Sequence, residues 1–234
     1  MDDSDNVSMK VSVFLGIDVQ IRRPCTYYAL DQDLTYVDSG LLEGETIESI
    51  SQGLRALVQN LSGQAAGLAA VGIDAPRVGL PAPRQWFWRK GAWVRISSQE
   101  RGYGRHCEVA VKALGLGNPQ WTRLAKDSPD WTQLGYRLFE VLDGLAETYE
   151  VFPSAAYRML NDTEHPPIPL RLKGFAGQTK DMLDACVAAY TVWACINGRG
   201  TAVGGGDDLG TIALPEKLPV PASHPVLHWP GAQA

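Results

Sequence analysis

Three short runs rich in Val, Tyr, Phe and Thr open the chain, at residues 10–18 (KVSVFLGID), 25–31 (CTYYALD) and 34–42 (LTYVDSGLL). They read as strands, the short turns between them giving an antiparallel meander. The period then changes. Ile47, Ile50, Leu54, Leu57, Val58 and Leu61 recur at helical spacing, with Thr46 as N-cap and Gly63 as stop. Residues 67–74 (GLAAVGID) form a near-continuous apolar run, the pattern of a strand buried on both faces.

The pattern breaks after Asp74. Pro76, Pro81 and Pro83 with several glycines make residues 75–104 a long irregular insertion, and loops of more than about 12–15 residues tend to carry function or lack order. Helices are predicted over 105–116 and 130–147, and a strand over 148–156 that Pro153 ends. A small-residue-rich helix is predicted over 179–197, capped by Asp181 or Thr179, and residues 201–215 supply a loop and a short strand. These elements make one α/β domain over 10–215, between a loose N-terminal tail (1–9) and a Pro-rich C-terminal tail (216–234).

Two strands end in the same letters, Gly-Ile-Asp, at Asp18 and Asp74. Asp is depleted inside strands, so each carboxylate marks a strand end. A right-handed crossover lays the fourth strand parallel beside the first, and neighbouring strands lie ~4.8 Å apart. The two carboxylates then share one site. Glu150 begins the next parallel strand, and Asp181 and Asp184 share a helix face three residues apart. Carboxylates held this close repel one another unless a cation lies between them. Oxygen donors suit Mg²⁺ or Mn²⁺, and a pair of such ions ~3.5–4 Å apart activates water for phosphodiester hydrolysis. The same residue types have plainer roles, since Asp at a strand end also caps a turn.

Composition sharpens this picture in one place. Residues 77–112 hold eight basic and two acidic residues, a local charge of +6 in a chain of −5, which leaves −11 elsewhere. Trp86, Phe87, Trp88, Trp93 and Tyr103 are interleaved with the bases. Arg77, Arg84 and Arg89 in this segment are candidates to grip a nucleic-acid backbone while the aromatics stack bases; the competing arrangement buries the aromatics and solvates the arginines. The four cysteines (25, 107, 186, 195) include no CxxC pair, and the His224/His228 spacing is interrupted by Pro225, which disfavours a helical metal pair. No apolar run reaches the ~20 residues of a membrane span. The acidic start is unlike a signal peptide, so the cytoplasm is the expected compartment.

In order along the chain, FLGIDVQ, VGIDAPRVG, RHCE, YEVFPSAA, KDMLDACVAAYT and GTIALP resemble the domain-of-unknown-function family 429, over about residues 11–215. That resemblance implies an RNase H-like mixed sheet, a three-strand antiparallel meander plus parallel strands with flanking helices, and a predicted nuclease activity. LGID and DMLDA are also similar to motifs of the RuvC-type resolvases, although Val19-Gln20 stands where those strands continue into glycine. The resemblance puts Asp18, Asp74 and Asp184 at metal-ligand positions with Asp181 one turn earlier. It makes Glu150 a further family hallmark. Arg105 is placed by it to meet a phosphate or to pair with Glu108 or Glu150. The expected function is a Mg²⁺- or Mn²⁺-dependent nuclease in which Asp18, Asp74, Glu150 and Asp184 are catalytic. Arg77, Arg84, Arg89 and Arg105 would bind substrate. The alternatives are a non-catalytic or small-molecule-acting protein of the same fold, favoured if Trp86, Trp88 and Trp93 are buried, and an actin-like phosphotransferase. The last is disfavoured because residues 19–24 contain no phosphate-binding glycine.

Overall fold

A seven-stranded mixed sheet forms the centre of the computed structural model, which describes residues 12–233 except 64–66, 97–101, 162–165, 174 and 178. The N-terminal tail read over 1–9 lies outside the described residues. Strands β1 (Val13–Asp18), β2 (Cys25–Leu30) and β3 (Tyr36–Leu42) form the expected antiparallel meander. Helix α1 (Ile47–Gly63) crosses over to β4 (Leu68–Asp74), which pairs parallel with β1. Thr46 Oγ1 accepts from the Ser49 amide at 3.1 Å, so the cap read from sequence is formed.

The hairpin β5 (Trp86–Arg89) and β6 (Ala92–Arg95) stands apart from this sheet, followed by α2 (His106–Ala113) and α3 (Asp130–Leu142). Strand β7 (Glu147–Val151) lies parallel to β4, and α4 (Pro153–Leu160) follows it directly. Helix α5 (Lys180–Ile196), β8 (Thr201–Gly204) and β9 (Thr211–Leu214) complete the order β3-β2-β1-β4-β7-β9-β8. This is an RNase H-like α/β fold.

Alternation along β1 sorts the layers. Val13, Leu15 and Ile17 join Val71 and Ile73 of β4 under the apolar faces of α1 and α3, supplied by Ile50, Leu54, Val58, Leu134, Leu138 and Leu142. Phe14 faces the other way, with Tyr28 and Ala70, into α5 and α4. Each fully buried Leu or Phe adds ~1.5–3 kcal/mol of apolar transfer. Helix α5 is buried through nearly its whole length, which is why its apolar residues run almost all round it. Glycine makes its close approach possible. A Cβ at Gly16 would lie 2.0 Å from the Ala185 carbonyl, and one at Gly72 would lie 2.9 Å from that of Ala188.

Several elements differ from the sequence reading. Pro153 ends a strand and also starts a helix, because a proline at the first helical position lacks only an amide hydrogen that would go unbonded there. Glu150 lies next to last in its strand rather than opening it. The insertion is not wholly irregular, since Lys90 and Gly91, both at positive φ, turn β5 into β6. Thr179, rather than Asp181, caps α5, accepting from the Met182 amide at 3.1 Å. The C-terminal residues read as a tail pack onto the domain: Val226 is fully buried and the Trp93 indole donates to the Pro225 carbonyl at 3.0 Å.

Candidate metal-binding site

Register brings the two Gly-Ile-Asp motifs side by side. Gly16 pairs with Gly72, Ile17 with Ile73 and Asp18 with Asp74 across the β1–β4 ladder. Both aspartates therefore point to the α5 face, and the glycines two residues before them admit the helix. That contact, at Ala185, holds the neighbouring Asp184 over the same strand ends. Asp18 is 4% exposed, and Gln20 Nε2 donates to its Oδ2 at 2.8 Å.

Burial pushes the Asp18 carboxyl up to about 6; the Gln20 hydrogen bond opposes this and the charges of Asp184 and Asp181 add to it. Asp74 is raised well above the usual carboxylate range by burial first, then by Asp18 and Asp184. Its side chain accepts no hydrogen bond among the described residues. Two cations approach from outside. Lys180, half exposed, pairs with Asp184, and Arg23 reaches Asp181 at 2.9 Å.

Two hydroxyls nearby are also unmatched. Thr26, opposite Asp18 in the β1–β2 ladder, has a buried Oγ1 without a partner. The Tyr157 hydroxyl on α4 is enclosed without a well-formed hydrogen bond, and burial together with the Asp184 charge lifts its ionisation far above the ordinary phenol range. Orphaned oxygens and repelling carboxylates on one face are the donor type that a hard divalent cation takes, although the Asp18, Asp74 and Asp184 oxygens do not all lie within 4.8 Å of one another.

Glu150 takes another part. It pairs with Ile73, one residue short of Asp74, and so faces the α3 side of the sheet. There the fully buried Arg105 binds it at 2.7 Å through Nη1, and the Arg77 amide donates to it at 2.8 Å. Arg105 also binds Glu108 at 2.9 Å through Nη2, and the Thr122 amide donates to Glu108 at 2.9 Å. Of the two roles open to Arg105, the structure shows the pairing with both acids. Among the described residues, the one trio of potential ligand atoms within 4.8 Å of one another is Cys107, Glu108 and Glu150. Its acids already hold a guanidinium, and burial raises the Cys107 thiol well above its ordinary value, so this trio is a structural ion network.

A cavity of about 720 Å³ opens at the carboxyl ends of the parallel strands, where α/β sheets place their ligands. Asp18, Asp74 and Glu150 line it, with Arg22 and Arg23 from the loop after β1 and Trp131 and Phe152 opposite. The other basic candidates lie elsewhere. Arg77 turns inward, stacking 4.2 Å from the Phe139 ring centre and donating to Thr148. Arg84 and Arg89 sit at the hairpin, stacked on Phe87. Trp86, Trp88 and Trp93 are half-buried, and Trp93 packs edge-on against Trp88 and Trp229.

Sequence reasoning missed Lys180, although its spacing of four from Asp184 was a legible signal. Tyr157 was hidden because α4 was. Gln20, Arg22 and Arg23 had only their position after Asp18 to announce them. No family model, curated protein or solved structure matches the chain. No helix among the described residues is long and apolar enough to cross a membrane.

Proposed function

We propose that this protein is a divalent-metal-dependent nuclease, hydrolysing phosphodiester bonds at the Asp18–Asp74–Asp184 face. The observation that carries the reading is the in-register pairing of Asp18 with Asp74 on parallel strands, with α5 seated over them on Gly16 and Gly72. The motif resemblance described above points the same way. Asp18, Asp74 and Asp184 would hold Mg²⁺ or Mn²⁺, with Asp181 one turn away. When bound, the cation supplies Lewis-acid polarisation of a phosphoryl oxygen and a nucleophilic water at neutral pH.

The chain's own residues prepare that chemistry. Gln20 holds one oxygen of Asp18 and so orients its carboxylate. Lys180 pairs with Asp184 and would be displaced from it by the cation. Arg22 and Arg23 on the cavity wall would engage substrate phosphate, Arg23 on leaving its pair with Asp181. Arg105 and Glu150 fix β7 against α2 and take no part in bond cleavage. We also assign the protein to the cytoplasm, where four cysteines without disulfides are at home.

The test is cleavage of single- and double-stranded DNA and RNA in Mn²⁺ by the wild type and by Asp18→Asn, Asp74→Asn and Asp184→Asn. Each substitution should reduce the rate by about 10³-fold or more, a barrier increase of ~4 kcal/mol, with near-ultraviolet circular dichroism unchanged. Cleavage that persists in all three overturns the reading. A second reading, action on a small phosphodiester, draws on the bounded cavity, whose volume is that of a small-molecule site. Hydrolysis of a dinucleotide but not of any polymer would select it.

A further inference from the structure

A second cavity, of about 520 Å³, lies between the β5–β6 hairpin and α2. Among the described residues, Arg84, Arg89 and Lys112 line it, together with aromatic walls that include Phe87, Trp88 and Trp121, and no acidic side chain does. In a chain of net charge −5 this is a local reversal of sign. Arg84 sits with its guanidinium carbon 4.8 Å from the Phe87 ring centre and 5.5 Å from that of Trp121, and the Lys112 ammonium lies 5.0 Å from Trp121.

Stacking uses the faces of a guanidinium and leaves its N–H groups pointing outward in the plane. Those of Arg84 are unmatched: Nε and Nη1 are buried and have no hydrogen-bond partner. Burial lowers its pKa to about 10, although Glu108 and Asp207 oppose the shift. A buried donor without an acceptor is costly, and that cost falls if an anion enters and meets the cation. The aromatic walls offer a flat ring something to stack on. One ligand class satisfies both demands.

We propose that this cavity binds one unpaired nucleotide, its phosphate on Arg84 and Lys112 and its base against the aromatic wall. The proposal rests on the nuclease reading for its purpose, since it supplies the grip for a strand whose neighbouring phosphodiester enters the acidic cavity. The two cavities share chain segments: Glu108 and Gln120 line the acidic one, and their immediate neighbours Val109 and Trp121 line this one. A duplex presents no free base face and is excluded.

Binding is measured on the full chain in EDTA, by quenching of tryptophan fluorescence, so that cleavage does not enter the readout. The probes are oligo(dT) and oligo(U) decamers, thymidine monophosphate, inorganic phosphate and a blunt duplex. The decamers should bind, and Arg84→Met should weaken them about tenfold, the scale of losing one well-held base. Lys112→Gln, an exposed change that spares the fold, should reduce the logarithmic salt slope by ~0.7, one single-strand phosphate contact. Monophosphate binding at decamer strength assigns the pocket to a free nucleotide; weaker binding assigns it to a strand. Duplex binding as tight as the decamers, phosphate competing as well as the nucleotide, or both variants behaving as wild type overturns the proposal. Asp74→Asn should bind normally here, so loss of cleavage in that variant with binding intact bears on the nuclease reading alone.

Discussion

Two groups of carboxylates stand at the carboxyl ends of the same parallel strands, and they differ in what lies between them. On the α3 side, Glu150 and Glu108 close around Arg105, which is fully buried and engages both. On the α5 side, Asp18, Asp74 and Asp184 come together with no internal cation among the described residues, and their neighbours Lys180 and Arg23 come from the solvent edge. The first group is complete as it stands. The second carries raised carboxyl groups and orphaned hydroxyls, the features on which the proposed metal site rests. A one-residue step in register along adjacent strands separates a structural network from the proposed site.

The sharpest way to break the comparison is to empty the closed group. Arg105→Met leaves two buried acids without a counterion, and removing one partner of a buried pair costs ~3–5 kcal/mol. Urea denaturation at pH 7.5 should show that loss, and Mn²⁺ should not restore it. A loss below 1 kcal/mol would show that Arg105 is not what holds β7 to α2.

The open group should respond to pH in the opposite sense to an ordinary ion pair. Asp18 titrates near 6 in the folded chain, against 3.8 for its unperturbed value. Below pH 4 both folded and unfolded chains hold the proton and the group contributes nothing. Between pH 4 and 6 the unfolded chain releases it first, so stability falls as pH rises and then levels off. With ~1.4 kcal/mol per unit, the metal-free penalty above pH 6 is about 3 kcal/mol. Denaturation midpoints of wild type minus Asp18→Asn across pH 4–8 should trace that curve, and saturating Mn²⁺ should flatten it. A difference independent of pH sinks the assignment.

The smallest effect is expected at Lys180. Its pair with Asp184 lies on an exposed helix face, and such pairs contribute ~0.3–0.5 kcal/mol. Lys180→Ala should therefore barely change stability, yet it removes a competing cation and should tighten Mn²⁺ binding in calorimetry. Weaker Mn²⁺ binding would mean that Lys180 orients Asp184 for the metal rather than competing with it.

Much of this was readable along the chain because strands and helices announce themselves through local period. The β1–β3 meander and the α1 crossover follow from hydrophobic spacing and α5 from its run of small residues, and the doubled Gly-Ile-Asp predicted a shared strand end for Asp18 and Asp74. The glycines of that motif had a meaning that the sequence alone did not disclose. They are where α5 lies against the sheet, and only the packed helix shows why a side chain is excluded there.

What only the tertiary structure decided concerns faces and partners. Whether Glu150 joined the aspartates depended on a register of one residue, and composition carries no record of register. Arg105 and Arg84 both belong to the basic segment, yet one is matched by two buried acids while the other keeps unmatched donors in an aromatic cavity. The sequence by itself determined the period, the strand ends and the residue types. Distances between residues far apart in the chain determined which charges are neutralised, because a charge acts through its neighbours in space.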